Sequence, residues 1–291
     1  MKLLRLIIYL ARWPERKENL MNDRERNVLV AGAAGGIGRA AVEMLLEKNF
    51  RVIAVDRNRL LLETLNHPSR TRLETVTLDI TDREGVREIA GEFKSRGRML
   101  RALMIPAGVH STHPVPFLSD DLVDSVLDVN LASHIKLVRD FLPVIEDGGS
   151  ILGVSSIAAG VGVPMSSLYS ASKWGLEGFY ESLFNELKHR DIRVSVIHPG
   201  NVNTGFNETG NTYSPRGDSE VDTRYARVVA RIDSRYGIPP QRVARVMVRA
   251  MESRRPRFCY LVGGNARKAY WAKRLLGRDT ALRLMGKFFG F

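Results

Sequence analysis

Cysteine is almost missing from this chain: Cys259 is the only one in 291 residues. No internal disulfide can form, so the fold has to rest on packing; a lone thiol allows a reducing cytosol and carries no further compartment signal, and the expected location is cytoplasmic or peripheral at a membrane. Long apolar runs are missing too. No segment approaches the roughly 20 apolar residues that cross a bilayer. Repeats and low-complexity linkers are absent, and nothing in the composition indicates disorder or a fibre. The six histidines (His67, His110, His113, His134, His189, His198) show no metal-ligand spacing with a cysteine or acid, so no metal is expected. His110 and His113 read as solvated loop residues and His198 as structural. Acidic residues are scarce: 32 Asp and Glu stand against 44 Lys and Arg, a formal charge of +12. That excess favours anionic partners. No recognition motif accompanies it, so nucleic acid is not the expected partner.

Much of the positive charge lies at the two ends. Residues 1–26 read as a basic amphipathic leader, with Lys2, Arg5, Arg12, Arg16 and Lys17 beside Leu3, Leu4, Ile7, Ile8 and Trp13. The apolar run Leu6 to Ala11 is short for a signal-peptide core, and no small-residue cleavage site follows. Residues 264–291 read as a basic amphipathic C-terminal helix, where Arg267, Lys268, Lys273, Arg274, Arg278, Arg283 and Lys287 oppose one acid, Asp279. Such segments either dock on the body or rest at an anionic membrane surface without crossing it.

Between the ends, 27–263 reads as one α/β domain. The chain's 44% hydrophobic composition supports one sizeable core. Apolar, strand-like segments (Val28–Ala31, Arg51–Asp56, Leu73–Ile80, Leu100–Ile105, Ser150–Ser155, Arg193–Ile197, Phe258–Val262) alternate with helical ones. The helical segments are Ile37–Lys48, Arg59–Leu65, Asp82–Ser95 with Thr81 as N-cap, Asp120–Val144, Ser167–His189 and Gln241–Ser253. Apolar strands alternating with amphipathic helices predict right-handed crossovers and a doubly wound, Rossmann-type parallel sheet covered on both faces. The polar segment 201–240 breaks the alternation and reads as a variable substrate loop.

The first strand runs into Ala31-Gly32-Ala33-Ala34-Gly35-Gly36-Ile37-Gly38. Glycines let backbone amides approach a pyrophosphate, and the helix that follows offers free N–H groups and a positive dipole end. Asp56, at the end of the second strand, stands where an acid accepts from both adenosine ribose hydroxyls and repels a 2′-phosphate. Arg57 beside it could receive that phosphate instead. NAD is therefore the preferred cofactor, with NADP the alternative. The glycines fit two spacings: Gly32, Gly36 and Gly38, or Gly32, Gly35 and Gly38, the second typical of sugar epimerases.

Tyr169 and Lys173 are four apart, which puts phenol and ammonium on one helix face. A phenol titrates near 10, too high for proton transfer around neutrality, and a fixed cation lowers it. Ser156 lies at the end of the preceding strand, where doubly wound sheets bind ligands. Asn130 interrupts an apolar helical stretch. Met165, Leu168, Phe206 and Tyr213 either line an apolar pocket or simply pack.

These motifs together resemble the classical short-chain dehydrogenase/reductase family over roughly Asn27 to Val262, and they select its glycine spacing over the epimerase one. AGAAGGIG corresponds to the family's TGxxxGIG, with Ala31 in place of Thr. The resemblance implies a catalytic tetrad of Asn130, Ser156, Tyr169 and Lys173. Tyr169 would exchange the proton, Ser156 polarise the carbonyl, Lys173 lower the phenol and hold the nicotinamide ribose, and Asn130 hold a water. It implies cofactor contacts at Gly32, Gly35, Gly36, Ile37, Gly38, Asp56, Arg57, Asp79, Ile80, Ala107 and Gly108. Tyr169, Lys173, Pro199, Gly200, Val202 and Thr204 complete that set. The chain departs from the family's NNAG, reading Ile105-Pro106-Ala107-Gly108, and Pro106 has no backbone donor. Arg72–Ile80 and Glu181–Gly200 are similar to retinol- and steroid-type relatives.

The expected activity is interconversion of a lipophilic secondary alcohol and its ketone, in a dimer or tetramer joined through the helices around Asn130 and Tyr169. A non-catalytic nucleotide sensor is the alternative. Such proteins lose the Tyr or the Lys; this chain keeps both.

Overall fold

The computed structural model describes residues 26–65, 70–206, 211–217, 219–232 and 237–291. The N-terminal leader (all but Arg26), His67 and Asp218 lie outside them.

Seven parallel strands form one sheet. In chain order they are β1 (Asn27–Ala31), β2 (Arg51–Asp56), β3 (Leu73–Thr77), β4 (Leu100–Ile105), β6 (Ile145–Val154), β7 (Arg193–Pro199) and β9 (Cys259–Val262), arranged β3-β2-β1-β4-β6-β7-β9. The strand order reverses between β1 and β4, and the cleft opens at their carboxyl ends, as doubly wound sheets require. Side chains alternate along β1. Leu29 and Ala31 enter one apolar layer with Ile53, Leu103 and Ile151, while Val28 and Val30 enter the other with Val52, Ala54 and Met104. Both faces are therefore core, which is why the strand is apolar at every position. Each fully buried Leu or Ile contributes about 1.5–3 kcal/mol.

Helix α1 (Gly36–Glu47) covers one face together with α8 (Pro240–Glu252), through Leu45, Leu46, Met247 and Val248. The other face is covered by α3 (Arg83–Ser95), α5 (Ser133–Phe141) and α6 (Ser167–Glu186), through Phe93, Phe141, Leu176 and Tyr180. The short α2 (Arg59–Glu63) follows β2 and is capped by Asn58.

The structure departs from the sequence reading at five places. The N-cap of α3 is Asp82, whose carboxylate accepts from the amides of Glu84 and Gly85; the Thr81 hydroxyl is turned to Asp79 at 2.8 Å. The expected continuous helix from Asp120 is α4 (Asp120–Leu127), a single π turn (Asp128–Ala132), α5 and a 3-10 turn (Leu142–Val144). Strand β6 begins five residues before Ser150, at Ile145, with a register shift against β4 between Leu100 and Ala102. Segment 201–240 is not all loop. It contains β8 (Asn211–Thr212), which pairs with β5 (Ser111–Thr112), and α7 (Ser219–Arg231). The C-terminal segment is two helices, α9 (Gly264–Leu276) and α10 (Arg278–Phe289), divided at Gly277, which has φ 76°.

Candidate active site

The turn from β1 to α1 is held from below. Gly32 takes φ 95°, and a Cβ there would stand 2.7 Å from the Ala107 backbone, so only glycine allows β4 to approach this closely. Gly35 caps α1 without a side-chain bond, and no acid occupies the first turn. The first amides of the helix are left for an anion. At the end of β2 the Asp56 carboxylate accepts from the amides of Ala34 at 3.0 Å and Asn58 at 2.9 Å. Arg57 lies 3.7 Å from Asp79, and both are exposed enough for water to screen the pair. One cleft is lined by Gly32, Gly35, Gly36, Ile37, Gly38, Asp56, Arg57, Asp79 and Ile80, and continues past Ala107, Gly108, Ser156, Tyr169 and Lys173 to Pro199, Gly200, Val202 and Thr204. Glycine amides at one end and an acid beside them fit a dinucleotide's phosphates and ribose.

Asn130 is the tetrad residue that does not line the cleft. It is fully buried on the π turn, where its Oδ1 accepts from the Val109 amide at 2.7 Å and its Nδ2 donates to the Val109 carbonyl at 2.9 Å. Nδ2 also lies 3.1 Å from the Ser172 hydroxyl on α6. Asn130 thus clamps the cleft floor to the helix that carries Tyr169.

Ser156 opens a 3-10 turn (Ile157–Ala159), and its hydroxyl accepts from the Ala158 amide at 3.1 Å. The turn is pinned twice: Trp174 Nε1 donates to the Ala158 carbonyl at 2.7 Å, and His198 Nδ1 lies 3.2 Å from the Ser156 carbonyl. His198 Nε2 is 3.0 Å from Glu177. Burial alone would lower the His198 pKa, but Cys259 and Glu177 outweigh it and hold the imidazole up at about 10.

Tyr169 and Lys173 share the buried face of α6. Lys173 Nζ donates to the Val154 carbonyl at 3.1 Å and lies 5.8 Å from the Tyr169 ring centroid. Burial pushes the phenol up to about 12, opposed only by its hydrogen bond with Ser156, and pushes Lys173 down to about 8. Loss of water is the main cause of both shifts.

His110, read from the sequence as solvated, is 7% exposed and stands against Tyr169 on the cleft wall. Its Nε2 is 2.7 Å from the Thr112 hydroxyl, which lies 3.3 Å from Ser166. Burial, with His113 and Lys173 adding to it, lowers its pKa to about 4, so it is neutral. His134 is likewise buried, a helical turn after Asn130. No sequence signal marks either, beyond His110 following Gly108 by two and His134 following Asn130 by four. Of the four apolar candidates, Phe206 lines the cleft, joined there by Val163 and Ile232. Leu168 and Tyr213 are buried, the latter stacked on Phe117 at 4.9 Å.

The family model for short chain dehydrogenases matches residues 26–213. Human retinol dehydrogenase 16 is 32% identical over 202 residues, covering 68% of this chain and 63% of that protein's length. Human 17-beta-hydroxysteroid dehydrogenase type 1 is 30% identical over 251 residues, 80% of this chain and 76% of its own. A short chain dehydrogenase from Burkholderia cenocepacia, solved in complex with NADP, superposes with a TM-score of 0.70 at 23% identity, covering 91% of this chain and 98% of that one. The chain belongs to the short-chain dehydrogenase family and is an oxidoreductase that acts on CH–OH groups with NAD or NADP.

Proposed function

We propose that the protein interconverts a lipophilic secondary alcohol and its ketone, with Tyr169 as acid/base and NAD(H) preferred. The observation that carries the reading is a buried Tyr169 beside Lys173, sharing one cleft with Ser156, Val163, Phe206 and Ile232. When bound, the nicotinamide supplies hydride exchange. The chain's own residues do the rest. Tyr169 Oη gives its proton to a carbonyl oxygen in reduction and takes it from the alcohol in oxidation. The Ser156 hydroxyl orients that oxygen. The Lys173 charge stabilises phenolate as it forms, and the Asn130 clamp fixes the floor opposite. Val163, Phe206 and Ile232 exclude water and favour an apolar substrate. The relatives named for retinol and a hydroxysteroid accord with that preference.

The test is an activity screen of the purified protein with NAD(H) and NADP(H) against steroids, retinoids, sugars and hydroxy-acyl compounds. Turnover confined to sugars or polar acids would overturn the lipophilic assignment. Tyr169→Phe should keep cofactor binding and lose at least about a hundredfold in turnover; near-wild-type turnover would remove Tyr169 from its role.

A second reading concerns the surface, with 27–263 taken as the catalytic domain and 264–291 as its basic extension. We propose that α9 and α10 rest on an anionic lipid surface. Trp271, Leu275, Leu282, Leu284 and Phe288 are exposed on them, and Arg267, Lys268, Arg278, Arg283 and Lys287 are exposed beside these. The inner face of α10 is spent on docking: Ala281 and Phe289 are buried. The outer face is left with interfacial chemistry. Assembly as a dimer or tetramer through α4, α5 and α6 is proposed from the family resemblance, and light scattering on the eluting protein tests it.

A further inference from the structure

Ala107 is where β4 leaves the sheet and becomes the floor of the cleft. Its amide donates to the Ala31 carbonyl at 3.1 Å, which ties the floor to the glycine turn. Its carbonyl lies 3.0 Å from Nε2 of His134. His134 is fully buried, and its Nδ1 lies 3.1 Å from the Tyr180 hydroxyl. A carbonyl can only accept, so Nε2 carries the proton, and Nδ1 accepts from Tyr180. Burial, helped by the Lys173 charge, lowers the His134 pKa to about 3, so this neutral tautomer persists at any working pH.

Space has been made for Tyr180. Gly153 on β6 pairs in register with Ile105, and a Cβ there would come within 2.3 Å of the Tyr180 ring. The residue before Ala107 is Pro106, which offers no backbone donor, and Ile105 offers no side-chain donor. The side-chain support of the floor therefore comes from the helices. His134 on α5 holds the Ala107 carbonyl, and Asn130, one turn earlier, holds both backbone groups of Val109.

We infer that His134 is a positioning residue for the nicotinamide nucleotide. It fixes the Ala107 peptide so that the 107–109 backbone keeps the shape against which the cofactor lies, and Tyr180 fixes the imidazole tautomer. The inference rests on the reading that this cleft holds NAD(H) or NADP(H).

The test measures the Kd for NADH by fluorescence, or for NADPH if that binds more tightly, alongside Tm and the separate KM values for cofactor and substrate. The full chain is compared with His134→Leu, His134→Gln and Tyr180→Phe. His134→Leu should raise the cofactor Kd by about tenfold, while His134→Gln, whose amide can still donate to Ala107, should stay within about threefold of wild type. Tyr180→Phe should fall between them. A purely structural role would lower Tm and leave the Kd of the folded protein unchanged. Wild-type binding in His134→Leu, or equal weakening in His134→Leu and His134→Gln, would overturn the inference. If His134→Leu fails to fold, Tyr180→Phe decides: a raised Kd supports the inference, and a wild-type Kd overturns it. Wild-type protein that binds neither NADH nor NADPH would sink the cofactor reading and this inference together; wild-type binding with unchanged variants would sink this inference alone.

Discussion

The imidazole of His110 meets the ring of Tyr169 edge to face, 4.8 Å between centroids and 64° between planes. The contact is apolar in character because His110 is neutral, its pKa near 4. His110→Phe should therefore preserve the wall, with kcat/KM within about tenfold of wild type. Its pH profile should superimpose on the wild-type profile from pH 6 to 9. A lost ionisation in that window would mean that His110 exchanges protons after all.

Tyr169 near 12 and Lys173 near 8 set the direction of the pH dependence. At pH 7 the phenol keeps its proton and the lysine is mostly charged, the state needed for carbonyl reduction. As pH rises through about 8, Lys173 loses its charge, and reduction should slow. Oxidation needs the phenolate and should speed up with pH. Initial rates in both directions from pH 6 to 10 check this. A reduction rate flat across pH 8 to 9 would contradict it.

Asp56 occupies the amides of Ala34 and Asn58 with its carboxylate. Asp56→Ser removes a negative charge and releases both donors toward a phosphate, with Arg57 alongside. The ratio of NADP to NAD affinity should rise by at least about tenfold. Titration of both cofactors reads it directly, and an unchanged ratio would mean that Asp56 does not face the ribose.

The contacts of His198 with Cys259 and Glu177 make stability depend on pH. His198 has its folded pKa raised to about 10, so its stabilising effect is complete below its unfolded value near 6.5 and is lost as pH rises toward 10. Glu177→Gln should lower Tm by roughly 2–4 °C at pH 6 for each kcal/mol lost, and the gap should narrow toward pH 10. A gap that widens with pH would reverse the assignment.

The C-terminal helices give a prediction that needs no substrate. The protein should sediment with vesicles containing phosphatidylserine and not with phosphatidylcholine alone, since each basic residue near an anionic surface is worth about 1 kcal/mol. Binding should weaken with salt and drop when residues 265–291 are deleted. No sedimentation at low salt would leave both helices as docking elements only.

The sheet was legible because both faces of β1, β2 and β4 are core, which leaves uninterrupted apolar runs in the sequence. The glycine turn and the Tyr169–Lys173 spacing were legible because they are local. The π turn at Asn130 was not, since Val126, Leu127, Val129 and Leu131 read as ordinary helix. Helix α7 was hidden by its arginines, although Val221, Tyr225 and Val228 carry the i, i+4, i+7 spacing of a buried stripe. His110 on the cleft wall and His134 behind its floor were invisible because their burial depends on chain far away: Tyr169 for one, Tyr180 for the other.

The π turn also makes the molecule's tolerance of length changes uneven. Each residue in an α-helix advances the chain by about 100°, so a residue gained or lost in a regular stretch resets the phase of everything after it. Deleting a single residue within 128–132 would let α4 and α5 merge into a regular helix with the phase on either side nearly kept, because the π turn already takes up one extra residue within one turn. A deletion within α5 ahead of Leu137 has no such reserve and would turn Leu137 and Phe141 by about 100°, out of the core. A deletion in the exposed 216–217 stretch breaks no such phase relation. Where this chain can gain or lose a residue is thus decided by angular bookkeeping along one helix as much as by distance from the chemistry.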